Sequence, residues 1–140
     1  MVRARYPADW RSCLDAALLP EEYYHVLLAR RSYSDAGRYA ARMASRLASM
    51  NLPTAPWVEK IGDAAFLEKD YTRALASYEE SAGRGRPGAA LMLKLSDVHH
   101  LLGDVEKERS YREAIYGSLH EERDHPPDRN LKEGTDADHP

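Results

Sequence analysis

The sequence predicts an all-α protein of about seven helices, and three observations carry that expectation. Ala, Leu, Glu, Arg and Tyr dominate, a composition that favours helix. Apolar residues recur at spacings of three and four along most of the chain. No run sustains the period-two alternation of a half-buried strand.

The elements follow in order. Asp9 caps a short leading helix over 9–19, with Trp10, Cys13, Leu14, Ala17 and Leu18 on its apolar side. Pro20 opens the next helix, at the position where its missing N–H costs least. Tyr23, Tyr24, Leu27 and Leu28 form its apolar side. Ser34 or Asp35 is expected to cap a third helix, carried by Tyr39, Ala40, Met43, Leu47 and Met50. The Asn51–Pro56 loop breaks it. Thr54 starts the fourth helix, with Trp57, Val58, Ile61, Ala65 and Leu67. Asp70 caps the fifth, with Tyr71, Ala74, Leu75 and Tyr78. The run Gly83-Arg84-Gly85-Arg86-Pro87-Gly88 is a clear break. A sixth helix covers 89–102, and Gly103-Asp104 ends it and caps a seventh through Val105, Tyr111, Ile115 and Leu119.

The expected organisation is one domain over 1–123, with units at about 20–50, 55–86 and 88–122. A polar tail over 124–140 is expected to be disordered, because its consecutive prolines and many charges can bury little. Of the 140 residues, 43% are hydrophobic and 31% charged, which fits a soluble globular chain that can bury a core without staples. Cys13 is the single cysteine, so no internal disulfide and no cysteine-based zinc site can form. The expected compartment is reducing and cytoplasmic. Nothing approaches the ~18 apolar residues of a membrane span.

Charge is mildly uneven. Residues 1–50 carry 8 arginines against 5 acids, 51–119 carry 9 basic against 11 acidic side chains, and 120–140 carry 3 against 7. These biases fall short of the basic surface of a nucleic-acid binder.

The segments repeat. Lys69-Asp70-Tyr71 aligns with Gly103-Asp104-Val105 at an offset of 34, and Ile61-Gly62 aligns with Leu95-Ser96 at the same offset. Within Val58–Ser81, Ile61 and Gly62 make a large-then-small pair, and Ala74, Tyr78 and Ser81 a small–aromatic–small triplet. The chain from about residue 20 to 119 therefore resembles the tetratricopeptide repeat (TPR) family. In that pattern Gly62 and Ala74 let two helices approach, and Tyr78 fills the space toward the next unit. The unit from Pro20 to Met50 matches less well, its turn lying 38 residues before Tyr71–Ala74 and Tyr24 standing where the family has a small residue. The last unit departs too: Glu108 and Arg112 replace a small and an aromatic residue, as a terminal repeat with a solvated face allows.

The resemblance implies antiparallel helix pairs stacked as a short right-handed superhelix. The first helix of each pair would line a groove. Carried across, its positions are Glu21, His25 and Leu28, then Glu59, Asp63, Phe66 and Leu67, then Leu93, Asp97, His100 and Leu101. Such a groove suits a peptide or helix with apolar anchors and some basic residues. The implied function is a protein-interaction module, an adaptor or chaperone-like, and not an enzyme. The alternative is an architectural subunit that self-associates or docks within a larger motility, secretion or envelope assembly. The TPR subclass that clamps a C-terminal carboxylate is disfavoured, since its positions here hold Glu21, His25, Lys60, Ala90 and Lys94. Glu59 and Asp63 read equally as a solvated helix face.

The remaining constellations carry little chemistry. Asp97 and His100 share a helix face while His99 points about 100° away, and no further ligand completes a metal set. Neither metal nor cofactor is expected. The run from Gly83 to Arg86 lacks the strand and the Lys-Ser/Thr ending of a phosphate loop. Arg38, Arg42 and Arg46 form an i, i+4 stripe, the best basic patch, available to RNA, phospholipid or an acidic partner. Ala and Ser surround it without aromatic interleaving, so base stacking is unsupported, and a solvated face is the ordinary reading.

Overall fold

In the computed structural model, residues 19–124 are described, with side chains to residue 120. The expected leading helix, apart from Leu19, and the polar tail, apart from Asp124, lie outside the described residues. The described residues form six helices: α1 (Pro20–Ala29), α2 (Tyr33–Ser49), α3 (Ala55–Leu67), α4 (Tyr71–Gly83), α5 (Ala89–Leu102) and α6 (Val105–Asp124). The fold is all-α, and no strand occurs among the described residues. The last helix runs to Asp124, two residues past the expected end of its unit at 122.

Local signals explain most boundaries. Pro20 stands at the start of α1, and Glu22 accepts the Leu19 N–H at 3.1 Å. Asp70 and Asp104 accept the N–H groups of Arg73 and Lys107, each at 3.2 Å, which satisfies an orphan donor of α4 and α6. Ser34 and Asp35 do not cap α2. That helix starts at Tyr33 after Ser32, and Asp35 in its first turn pairs with Arg38 instead.

The cause of that shift is the preceding turn. Arg31 takes a left-handed backbone (φ 58°), and the Ser32 N–H then reaches back to the Leu27 carbonyl at 2.9 Å. The same closure recurs after α3, with Lys69 (φ 64°) and Asp70 N–H to Ala65. It recurs after α5, with Gly103 (φ 83°) and Asp104 N–H to His99. Each is a left-handed residue, then a capping position, then the first residue of the next helix. Asn51 (φ 57°) closes α2 in the same way, before a longer loop.

The chain divides into two compact units, with the boundary between Gly85 and Arg86, inside the expected helix break. In the first unit α1 packs on α2, α2 on α3, and α3 on α4; in the second, α5 packs on α6.

The first unit has an aromatic core. Tyr23 and Tyr39 meet edge-on at 4.6 Å, Tyr39 and Trp57 at 5.9 Å, and Tyr24 and Trp57 at 6.1 Å. Leu27, Ala36, Ala40 and Ala64 complete the cluster. These edge-to-face pairs contribute beyond their buried area. The α3–α4 hairpin is held by Ser81, whose hydroxyl donates to the Ala55 carbonyl at 2.8 Å, and by Arg84, which donates to the Thr54 hydroxyl at 3.0 Å.

Gly62 is needed where it stands. A Cβ there would lie 2.6 and 2.7 Å from two carbons of the Tyr78 ring. The nearest side chain to that Cβ is Tyr78, which packs here within its own hairpin. Its hydroxyl donates to Asp63 at 2.6 Å, one helical position beyond Gly62.

In the second unit Leu91, Met92, Leu95 and Val98 are buried on α5. His99 is buried and stacks on Tyr111 at 5.6 Å; its Nε2 has no hydrogen-bond partner among the described residues. Glu108, at the register of Ala74, is buried too. Its carboxylate meets Arg112 at 2.7 Å and His100 at 3.2 Å. A carboxylate paired with Arg112 and facing His100 thus stands in this hairpin where the preceding one has Ala74, Tyr78 and Phe66.

Candidate partner-binding surface

Tyr24 joins α1 to α3. Its hydroxyl donates to the Lys60 carbonyl at 2.7 Å, and its ring is edge-on to Trp57. Because Tyr24 is a large residue where a small one was expected, it spans the gap between the two helices. Lys60 lies with its Nζ 5.2 Å from the Trp57 ring centroid and 6.0 Å from that of Tyr24, so its charge rests on aromatic faces.

The expected α1 residues flank this contact. Glu21 and His25 are exposed, while Leu28 is half-buried and packs on the aromatic core. On α3, Glu59 and Asp63 are half-buried on either side of Lys60. Both carboxylates lie close enough to act on the Tyr24 and Tyr78 hydroxyls. Burial comes first in raising both tyrosine pKa values above the ordinary one. The hydrogen bond to Asp63 adds to this for Tyr78, and the charges of Asp63 and Glu59 add to it for both.

Phe66 is half-buried and meets Tyr71 edge-on at 5.3 Å, so part of its ring packs on its own hairpin. Leu67, at the end of α3, is 43% exposed. The first unit therefore brings two helix faces together, with acids, an ordered lysine and partly exposed apolar groups along them.

The α5 residues belong to the second unit. Leu93, Asp97 and Leu101 are exposed on α5. His100 is exposed as well, and its ring nitrogen faces Glu108. Among the described residues, no three His, Cys, Asp or Glu side chains converge in a way that could hold a metal ion. Nor is any described helix long and apolar enough to cross a membrane.

Sequence reading placed Lys60 at a groove position but missed Tyr24 and Tyr78 as parts of this surface. Tyrosine at both positions was visible as an aromatic, but only the helix pairing aims each hydroxyl at a polar group of α3. Compared with family models, with curated proteins and with solved structures, the chain gives no match.

Proposed function

We propose that the chain is a protein-interaction module of the TPR type, an adaptor or chaperone-like, and not an enzyme. It holds a peptide or helix of a partner against the face that α1 and α3 share in the first unit. The observation that carries this reading is the Tyr24–Lys60 junction. That hydrogen bond ties α1, which carries Glu21 and His25, to α3, which carries Glu59, Asp63 and Phe66, and so supports a shared face. Tyr24 and Trp57 beneath the junction are buried, so this part of the face costs little ordering on binding. The recurring left-handed turn at Arg31, Lys69 and Gly103 supports the repeat. The cytoplasm is the compartment proposed, on the lone Cys13.

The test is affinity for the partner captured from source lysate. Phe66→Ala should weaken binding by about 1–3 kcal/mol, with circular dichroism run alongside to check folding. Glu59→Lys with Asp63→Lys should slow association with a basic partner, and added salt should shrink that difference. Normal binding by all three changes would remove this face from consideration.

A second reading, an architectural subunit, has its own observation. Leu93, Leu101, Leu102, Val105, Tyr116 and Leu119 are all exposed in the second unit. Exposed apolar side chains are the groups that self-association or docking would cover. Solution mass over a range of concentrations separates the two: a monomer at every concentration fits the adaptor, and a tight oligomer fits the architectural role.

A further inference from the structure

We propose that the outer face of α2 is a second binding surface, separate from the α1–α3 face, and that it takes an acidic α-helix of a protein partner. Arg38, Arg42 and Arg46 are all exposed on one side of this helix. Successive guanidinium-bearing positions are about 6 Å apart along the axis and span about 12 Å over two turns. Carboxylates spaced four residues apart on a second helix have the same rise and meet the three arginines in register.

The arginines are partly ordered in advance. Arg38 is held by Asp35 at 2.6 Å and by the Ser34 hydroxyl at 3.2 Å. Arg42 lies 5.6 Å from the centroid of Tyr39, whose ring is locked in the aromatic core. Arg46 occupies the last turn of α2, where the helix dipole favours a cation. Beside the stripe stand exposed Ala41, Ser45 and Ser49, which are small enough for another helix to approach closely. Exposed ion pairs alone contribute little. Met50 and Leu52, exposed just past Arg46, supply the apolar anchor that such a contact needs.

Charge decides the class of partner. Between residues 19 and 85 there are nine acidic and nine basic side chains, so the described part of the first unit carries no formal net charge. Binding to nucleic acid or to an anionic bilayer grows with the number of basic groups near the surface. A surface without large net charge but with one ordered stripe favours short-range pairing with matched carboxylates. Among the described residues, the aromatic in contact with the stripe, Tyr39, is buried and offers no platform for a base.

The probe is an alanine-rich helical peptide with Glu at every fourth position over three turns and two Leu at one end, labelled for fluorescence anisotropy against the full chain. Its control has the same composition with the Glu residues spread around the helix. The ordered peptide should bind at least tenfold more tightly than the control. Arg42→Glu with Arg46→Glu should weaken it at least tenfold, with unchanged helicity. The same double variant should bind a Lys-for-Glu version of the peptide more tightly than the wild type does. Phe66→Ala should leave the affinity within twofold, which keeps this proposal distinguishable from the α1–α3 reading. Equal binding of the control, absence of binding, or loss with Phe66→Ala would overturn the proposal. So would tighter binding to phosphatidylserine vesicles or to single-stranded polyuridine than to the ordered peptide.

Discussion

Two glycines in neighbouring helices meet different surroundings, and the difference is just under one ångström of clearance. A Cβ at Gly62 would sit 2.6 Å from the Tyr78 ring, whereas one at Gly37 would lie 3.5 Å from the Ala64 Cβ, an ordinary contact. Gly62→Ala should therefore cost about 1–3 kcal/mol, and Gly62→Leu at least as much, through overpacking. Gly37→Ala should stabilise by up to about 1 kcal/mol, because a helix-interior glycine is expensive. Thermal or urea unfolding checks both, and equal effects at the two sites would show that the Tyr78 ring does not rest on Gly62.

The same tyrosine predicts an alkaline limit. The folded pKa values of Tyr24 and Tyr78 are raised above the unfolded value of about 10. Their contribution is then fully present below about pH 10 and is lost as pH rises beyond it, because the unfolded state sheds its protons first. Stability should fall by up to about 1.4 kcal/mol per pH unit for each tyrosine above that point. Tyr78→Phe should cost about 1 kcal/mol near neutrality through the lost hydrogen bond to Asp63, and should flatten the alkaline slope. Urea titrations between pH 8 and 11 would read both effects; an unchanged slope in the variant would count against the buried hydroxyl.

At the scale of elements, one turn is used three times with three different residues. Arg31 and Lys69 adopt the left-handed backbone that Gly103 takes without steric cost. For L residues that conformation costs about 1 kcal/mol or somewhat more. Lys69→Gly should thus stabilise by about 0.5–1 kcal/mol, and Gly103→Ala should destabilise by about 1 kcal/mol. Asp70→Ala should cost about 1 kcal/mol through the lost cap to Arg73. Chemical denaturation of the three variants is the measurement. A loss of stability in Lys69→Gly would mean that the lysine side chain, not its backbone, holds the turn.

Across the whole molecule, charge and exposed surface bear on association. Deleting residues 125–140 removes a segment rich in charge and poor in apolar groups. The melting temperature should then stay within about 2 °C, less than a ~1 kcal/mol change would produce in a domain this size. A drop of several degrees would show that the segment packs against the rest of the chain. Zinc or nickel at modest excess should likewise leave the melting temperature unchanged, since a specific site would raise it by mass action. A rise abolished by His100→Ala would assign that histidine to a metal site.

The number and order of helices among the described residues were legible in the chain, because their signals are local. Pro20, Asp70, Asp104 and the glycine-rich run at 83–88 act on their own backbone within a few residues, and the apolar spacing marks which side of each helix seeks cover. The sequence also marked the stripe of Arg38, Arg42 and Arg46, since helical spacing alone puts them on one face. Tertiary structure decided what the side chains meet. Left-handed Arg31 and Lys69 carry no glycine to announce the turn, so the start of α2 at Ser32–Tyr33 was displaced from the expected Ser34 or Asp35. Tyr78 turned back onto Gly62 and Asp63, and Tyr24 reached the Lys60 carbonyl. A buried hydroxyl must find an acceptor, and which acceptor is in reach depends on how two helices distant in sequence come to pack.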